Sequence, residues 1–344
     1  MKVKSTPTDF ARCVTRFLTS HLPGERDLSP LTIKSYSLAL KMLIGYLDSY
    51  AEIKPDRVEL KDVTAEKVKV FLSFLGKPSS ISHNTYNQRL SALKTFVRYA
   101  ILEYPAFILE GQRILAIPSK RGAEHEIVYL EKDAMKALLA APDQSCSRGR
   151  RDLAMIAMLY DTGARIQELI DLKVKDVRLA QPETVTLTGK GRKTRSVSIM
   201  SETARIAESY MQEKGFLEQH VHGELRLFSS SNRAQFTRPG ITKILKRHFT
   251  AAKKSNPSVL FPENIHPHAL RASKAIHLLE SGINLIVIRD FLGHTSVSTT
   301  QVYLRVNNQV KRDAIAQAYP SLVESMPAWR ENSDLMLLLK ELCS

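Results

Sequence analysis

Apolar residues recur at helical spacing through the first hundred positions of the chain. Phe10, Val14, Phe17 and Leu18 form one stripe. Behind Ser29-Pro30, an N-cap followed by proline at the first helical position, Ile33, Tyr36, Leu40, Leu43 and Leu47 keep a 3.6-residue period. Asp62-Val63-Thr64 opens a third helix carrying Val68, Phe71, Leu72 and Leu75. Ser79, Ser80 and Ser82 break the chain before a fourth, which holds Tyr86, Leu90, Leu93, Phe96, Val97 and Ile101. No strand alternation interrupts this run, so a small all-α bundle is the simplest packing solution. From about 106 to 127 the periodicity fades; Pro105, Gly111, Pro118 and Gly122 punctuate it, and the stretch reads as a linker.

Helices resume at Glu131 to Ala140 and from about Arg148 to Tyr160, then break at Thr162-Gly163, with Arg165 at the start of the next helix. Thr184 to Thr188 and Arg195 to Ile199 alternate β-branched residues around a turn at Gly189 to Thr194, which predicts a hairpin with Lys190 on its shoulder. Further helices are expected at about 201–214 and 239–252, and one past Tyr303 carrying Val310, Ile315 and Ala318. Beyond Pro320 and Pro327 the chain ends in a segment from Asp334 to Leu342 that is apolar nearly all round. Such a helix must bury itself, on its own domain or on a neighbouring protomer.

Length changes the picture first: 344 residues imply two domains. Charge changes it next. A net +15 favours a polyanionic partner, either nucleic acid or an acidic membrane face. No apolar run approaches about 18 residues and the N-terminus lacks a signal-peptide core, so a soluble cytoplasmic protein is expected, with no membrane partner. Cys13, Cys146 and Cys343 make neither a disulfide framework nor a zinc site.

Candidate chemistry concentrates between His266 and Tyr303. His268 precedes Arg271 by one helical turn; Gly293-His294 and then Tyr303 follow. No carboxylate completes a metal-ligand set with these histidines. A forked cation, two imidazoles and a phenol suit a phosphate. Arg165, close to a positive helix end, either grips an oxyanion or pairs with Glu168 on the same helix. Other basic residues have two readings each. Arg89, Lys94 and Arg98 on the fourth helix either track phosphates or form a solvated face; Lys120 and Arg121 would suit a strap along a nucleic-acid backbone; Arg192, Lys193 and Arg195, around Lys190, face solvent or phosphate. The spacing of a nucleotide-binding P-loop is absent from Gly189-Lys190-Gly191, which excludes ATP on that ground.

Taken together, the box Asp161 to Leu169, the hairpin Gly189-Lys190-Gly191, His268-Ala269-Leu270-Arg271, Leu292-Gly293-His294 and Tyr303 resemble, in order and over nearly the whole chain, the motifs of the tyrosine recombinases, the family of phage integrases, Xer proteins and transposon integrases. The resemblance implies a mainly α fold with a small β-hairpin or sheet. It implies a four-helix, SAM-like core-binding domain over 1–108, a linker over 109–127, a catalytic domain over 128–325, and a tail over 326–344 whose helix docks in cis or in trans. It makes Arg165, Lys190, His268, Arg271, His294 and the nucleophile Tyr303 the catalytic set, with Glu168 in support. A phenol is a poor nucleophile at pH 7 unless a base takes its proton, the role expected of His268. Arg165 and Arg271 would fork onto the non-bridging oxygens, His294 would add a donor, and Lys190 would protonate the leaving 5′ oxygen. The product would be a 3′-phosphotyrosine, formed without metal or other cofactor. Partners would be double-stranded DNA and further copies of the chain, a synaptic tetramer, alone or with a related recombinase. Strands would pass through a Holliday junction in the integration, excision or transposition of a mobile element. Two positions depart from the family: Ala272 where histidine is frequent, and Ala164 where leucine is. His266 is expected to be structural. A type IB-like topoisomerase and a catalytically silent DNA-binding regulator are the alternative functions.

Overall fold

The computed structural model describes residues 6–75, 82–120, 127–189, 191, 193–218, 223–230, 234–305 and 333–342. Lys190, Arg121, Arg192 and the helix expected past Tyr303 lie outside these residues. The chain divides into two compact units, Met1–Glu124 and His125–Ser344.

The first unit is helical. α1 (Asp9–Arg16) is capped by Thr8, whose hydroxyl accepts from the Ala11 N–H, and runs on into a wider π-helical segment, Phe17–Glu25. α2 (Pro30–Tyr50) and α4 (His83–Glu103) start at Ser29 and Ser82, each accepting from a backbone N–H one turn on. α3 (Ala65–Leu75) packs against both. Phe10, Phe17 and Phe96 meet edge to face in the core. The stretch read as a linker corrects the expectation: its first part is a helix, α5 (Ile108–Leu115), packed into this unit. Ile114 is fully buried, and the Glu110 carboxylate accepts from the Ala65 N–H at 2.5 Å, supplying the first turn of α3 with an acceptor. Pro105 and a mid-helix Gly111 hide this helix from a periodicity reading. At Gly111 a Cβ would sit 2.6 Å from the Ile101 side chain, so the glycine lets α5 lie close against α4.

The second unit is built around α7 (Ser147–Asp161), whose residues Leu153 to Leu159 are all buried. Around it stand α6 (Lys132–Ala140), α9 (Ser201–Glu213), α10 (Arg238–Ser255) and α11 (Pro267–Glu280). The short α8 (Ile166–Asp171) leads to a three-stranded antiparallel sheet, β1 (Val177–Arg178), β2 (Thr184–Thr188) and β3 (Thr194–Ser198), in that order. The hairpin was expected; the two-residue β1, too short to alternate, was not. Val185 pairs with Val197 and Leu187 with Arg195, and these pairs share the inner face. α12 (Leu285–Leu292), α13 (Ser298–Gln301) and a 3₁₀ turn (Val302–Arg305) follow, and α14 (Ser333–Leu342) is the last described helix. No helix among the described residues is long and apolar enough to cross a membrane.

Candidate active site

The site forms where three segments converge. The first follows α7. Thr162, buried, turns its hydroxyl back onto the Met158 carbonyl and accepts from the Ala164 N–H, and Gly163 takes a left-handed φ of 56°. This turn sets Arg165 at the N-cap of α8. The second is the C-terminus of α12, where Gly293 at φ 64° ends the helix. The third is α11, one face of which carries Arg271 into the interior.

Arg271 is 1% exposed. Its Nη1 donates to the Gly163 carbonyl and its Nη2 to the Leu292 carbonyl, both at 2.5 Å. Arg165 donates through Nη2 to the Gly293 carbonyl at 3.2 Å. Each left-handed glycine thus presents a carbonyl to one arginine. Burial, with Arg165 and Arg195 nearby, pushes the Arg271 guanidinium down to about 10, still cationic at neutral pH. Its Nε is buried with no partner among the described residues.

Glu168, only 4% exposed, accepts four hydrogen bonds. Oε1 takes Arg165 Nη1 at 2.8 Å and Arg195 Nη1 at 3.0 Å; Oε2 takes the Arg165 backbone N–H and Arg195 Nη2, both at 2.8 Å. Burial alone would raise its carboxyl, but the hydrogen bonds and charges of Arg195 and Arg165 outweigh that and hold it below the usual range. The pairing of Arg165 with Glu168, one of two readings of the sequence, is therefore real. It leaves the Arg165 side chain 41% exposed, so pairing and anion gripping are compatible.

Arg195 corrects an expectation. Read as a DNA contact, it lies inside, with its side chain 13% exposed, forked onto Glu168 and donating through Nε to the Phe291 carbonyl. The parity of β3 explains it: Arg195 shares a face with Val197 and Ile199, both buried, and the same parity was legible in the sequence. Lys193, on the same hairpin, is exposed. Gly189 packs close enough that a Cβ would lie 3.1 Å from Glu168 Oε1, so the hairpin shoulder abuts the arginine cluster.

Tyr303 is 4% exposed and packs with Ala272, Ile276 and Leu292. Its ring stacks on His294 at 6.5 Å between centroids and 17° between planes. Burial pushes its phenol up while the charges of Arg271 and Arg165 pull against it. His294 Nδ1 is 2.9 Å from the hydroxyl of the buried Thr300, a partner the sequence reading missed and that the short α13 supplies. Burial and the surrounding cations push His294 down to about 4, so it is neutral at pH 7. His268 keeps an exposed edge; the protein around the rest of its ring, then Arg271, His266 and Arg165, lower it too. His266 stacks on His268 at 6.4 Å. Among the expected set, then, Arg165, Glu168, Arg271, His294 and Tyr303 form one linked cluster.

The remaining basic residues lie in the first unit. Arg98 is exposed, Arg89 and Lys94 are half-buried, and partial burial beside Arg98 lowers the Lys94 ammonium. Lys120 is held to α4: its N–H donates to Asn87 Oδ1, its carbonyl accepts from Asn87 Nδ2, and its ammonium sits 4.4 Å from the Tyr86 ring centre.

Residues 128–310 match the family model described as the phage integrase family, and residues 14–104 match the phage integrase N-terminal SAM-like domain. A Sinorhizobium fredii protein named as an integrase/recombinase, y4rC, is 32% identical over 95% of this chain and 96% of its own. Tyrosine recombinase XerD of Listeria innocua is 30% identical over 86% of this chain and 95% of its own. Among solved structures, the Tn1549 transposon integrase in complex with transposon right end DNA superposes with a TM-score of 0.67 at 16% identity, covering 89% of this chain and 98% of that one. The XerH recombinase bound to difH substrate in a post-cleavage complex gives 0.65 at 22% identity, over 85% and 81%. At these identities the superpositions show the fold. On sequence and fold together, the chain belongs to the phage integrase family of tyrosine recombinases.

Proposed function

We propose that this chain performs site-specific DNA strand exchange through a covalent 3′-phosphotyrosine, with Tyr303 as nucleophile. The observation that carries the assignment is the pairing of two guanidiniums, Arg165 and Arg271, beside a buried tyrosine of the same chain. Arg271 gives two of its five N–H donors to carbonyls, so others remain for a phosphate, and a buried donor without a partner favours an incoming acceptor. Arg165 is half open to solvent and can reach the same group. The two cations would stabilise charge on the non-bridging oxygens, with His294 as a further donor through the nitrogen that Thr300 leaves free. Tyr303, its phenol raised, stays protonated at pH 7 and needs a base. His268, lowered and therefore neutral, is suited to take that proton. Arg195 and Glu168 hold Arg165 from behind. As the Tyr303 oxygen bonds to phosphorus, the bond to the 5′ oxygen breaks and that oxygen takes a proton, which we assign to Lys190. Religation reverses the steps with a new 5′ hydroxyl, and no nucleotide is consumed.

Relatives named as recombinases and integrases support double-stranded DNA as the partner and recombination as the outcome. We further infer a synaptic tetramer of this chain acting in the cytoplasm, with α14 docking on a neighbouring protomer, and a mobile element as the natural cargo. Exposed basic residues of the first unit, Arg98 and Lys120 among them, would carry phosphate contacts.

The test uses sheared genomic DNA of the host in EDTA. An SDS-stable adduct is expected from the wild-type chain and none from Tyr303→Phe. No adduct from the wild type would leave a silent DNA-binding protein. Sequencing the trapped DNA maps the site, and a duplex carrying it yields recombinants; relaxation alone would indicate a topoisomerase. Lys190→Ala should cleave ordinary phosphate slowly and recover on a duplex whose scissile 5′ oxygen is replaced by sulfur, a leaving group that needs no acid. Failure to recover would remove Lys190 from the acid role.

A further inference from the structure

A second buried charge cluster lies beside the arginines. Lys274, on α11 just past Arg271, donates through Nζ to Asp161 Oδ1 at 2.8 Å. The Lys274 side chain is 11% exposed and that of Asp161 3%. Asp161 is the last residue of α7 and enters the turn that carries Gly163 and Arg165. Its other oxygen, Oδ2, accepts from the Met200 N–H at 2.7 Å, just beyond the strand that carries Arg195. The Lys274 ammonium also lies 5.3 Å from the Tyr160 ring centre and 5.8 Å from that of Phe291, whose carbonyl accepts from Arg195. One ion pair therefore touches α11, the α7–α8 turn, the exit of β3, and α12. These are the segments that bear Arg271, Arg165, Arg195 and the carbonyls holding them.

An apolar pair would fill this space and often stabilises a fold as well or better, so stability is a weak reason for burying two charges here. Direction is a better one. A salt bridge with a second hydrogen bond fixes separations that methyl groups leave loose, and a misplacement of about 1 Å can cost about 100-fold in rate. We infer that the Asp161–Lys274 pair is a positioning device that sets the spacing of Arg165 and Arg271 on the scissile phosphate, an inference that rests on the catalytic reading above.

The test is single-turnover cleavage of a nicked duplex carrying the mapped site, at saturating DNA, by full-length Asp161→Leu/Lys274→Met. Expected is a loss of about 10- to 100-fold in cleavage rate, with the melting temperature and DNA affinity retained. The two stereoisomers of a methylphosphonate at the scissile position report how each non-bridging oxygen is held, and their rate ratio should shift. Partial unfolding would slow both isomers equally. If the double variant does not fold, Asp161→Asn keeps an acceptor for the Met200 N–H and should show the same loss and the same altered ratio. Wild-type cleavage in either folded variant, or a slower rate with an unchanged ratio, overturns the inference while leaving the catalytic reading intact. A wild-type chain that forms no adduct overturns both.

Discussion

Arg271→Ala abolishes strand cleavage, with a loss of at least about 10³-fold in single-turnover rate, and lowers the melting temperature as well. Both effects have one origin. The guanidinium is 1% exposed and bridges the carbonyls of Gly163 and Leu292, so it joins the turn before Arg165 to the end of α12 while offering further donors to the phosphate. Truncation removes the charge from the reacting centre and leaves two carbonyls without donors, at about 1–3 kcal/mol each. Arg271→Lys separates the two roles. An ammonium can reach one carbonyl but cannot span both and also fork onto two oxygens, so stability should recover in part and rate much less. Thermal unfolding and a cleavage time course on the mapped site check the pair. A lysine variant that cleaves at the wild-type rate would refute the bidentate grip.

Glu168→Gln carries the second large effect. The carboxylate joins Arg165 and Arg195 through four hydrogen bonds, and the amide replaces an acceptor with a donor pointed at a guanidinium. Removing one partner of a buried ion pair costs about 3–5 kcal/mol, because the other charge stays behind. Cleavage should fall with it, since Arg165 loses its backing. The effect depends on pH in a definite direction. Glu168 is depressed in the folded chain relative to an ordinary value of 4.5, so its contribution is complete above that value and fades as pH falls through the lower folded one. The stability gap between wild type and variant, measured by denaturant unfolding, should be constant at neutral pH and narrow below about 4.5. A gap independent of pH across that window would show that charge is not what Glu168 supplies.

Much of this was legible along the chain. The fold class, the cap at Ser29, the break before the fourth helix and the hairpin follow from neighbours in sequence, because helical period, capping and β alternation are local properties. Arg165 at a helix start, with Glu168 one turn on, is local too. The helix at 108–115 was not legible, since Gly111 is explained only by its contact with Ile101 and Glu110 only by the open N–H of Ala65. Arg195 could have been found from its parity with Val197, but a basic residue near a turn draws a surface reading.

The sequence by itself determined which groups are present, in what order, and on which kinds of element. Tertiary structure decided which of them act together. The Arg165 grip on the Gly293 carbonyl spans 128 residues, that of Arg271 on Gly163 spans 108, and that of Lys274 on Asp161 spans 113. Separations of that size leave no periodic trace, because the chain returns to the site only after its helices have packed. The cost of burying each cation is met there by carbonyls and carboxylates from distant segments, which no local pattern can specify.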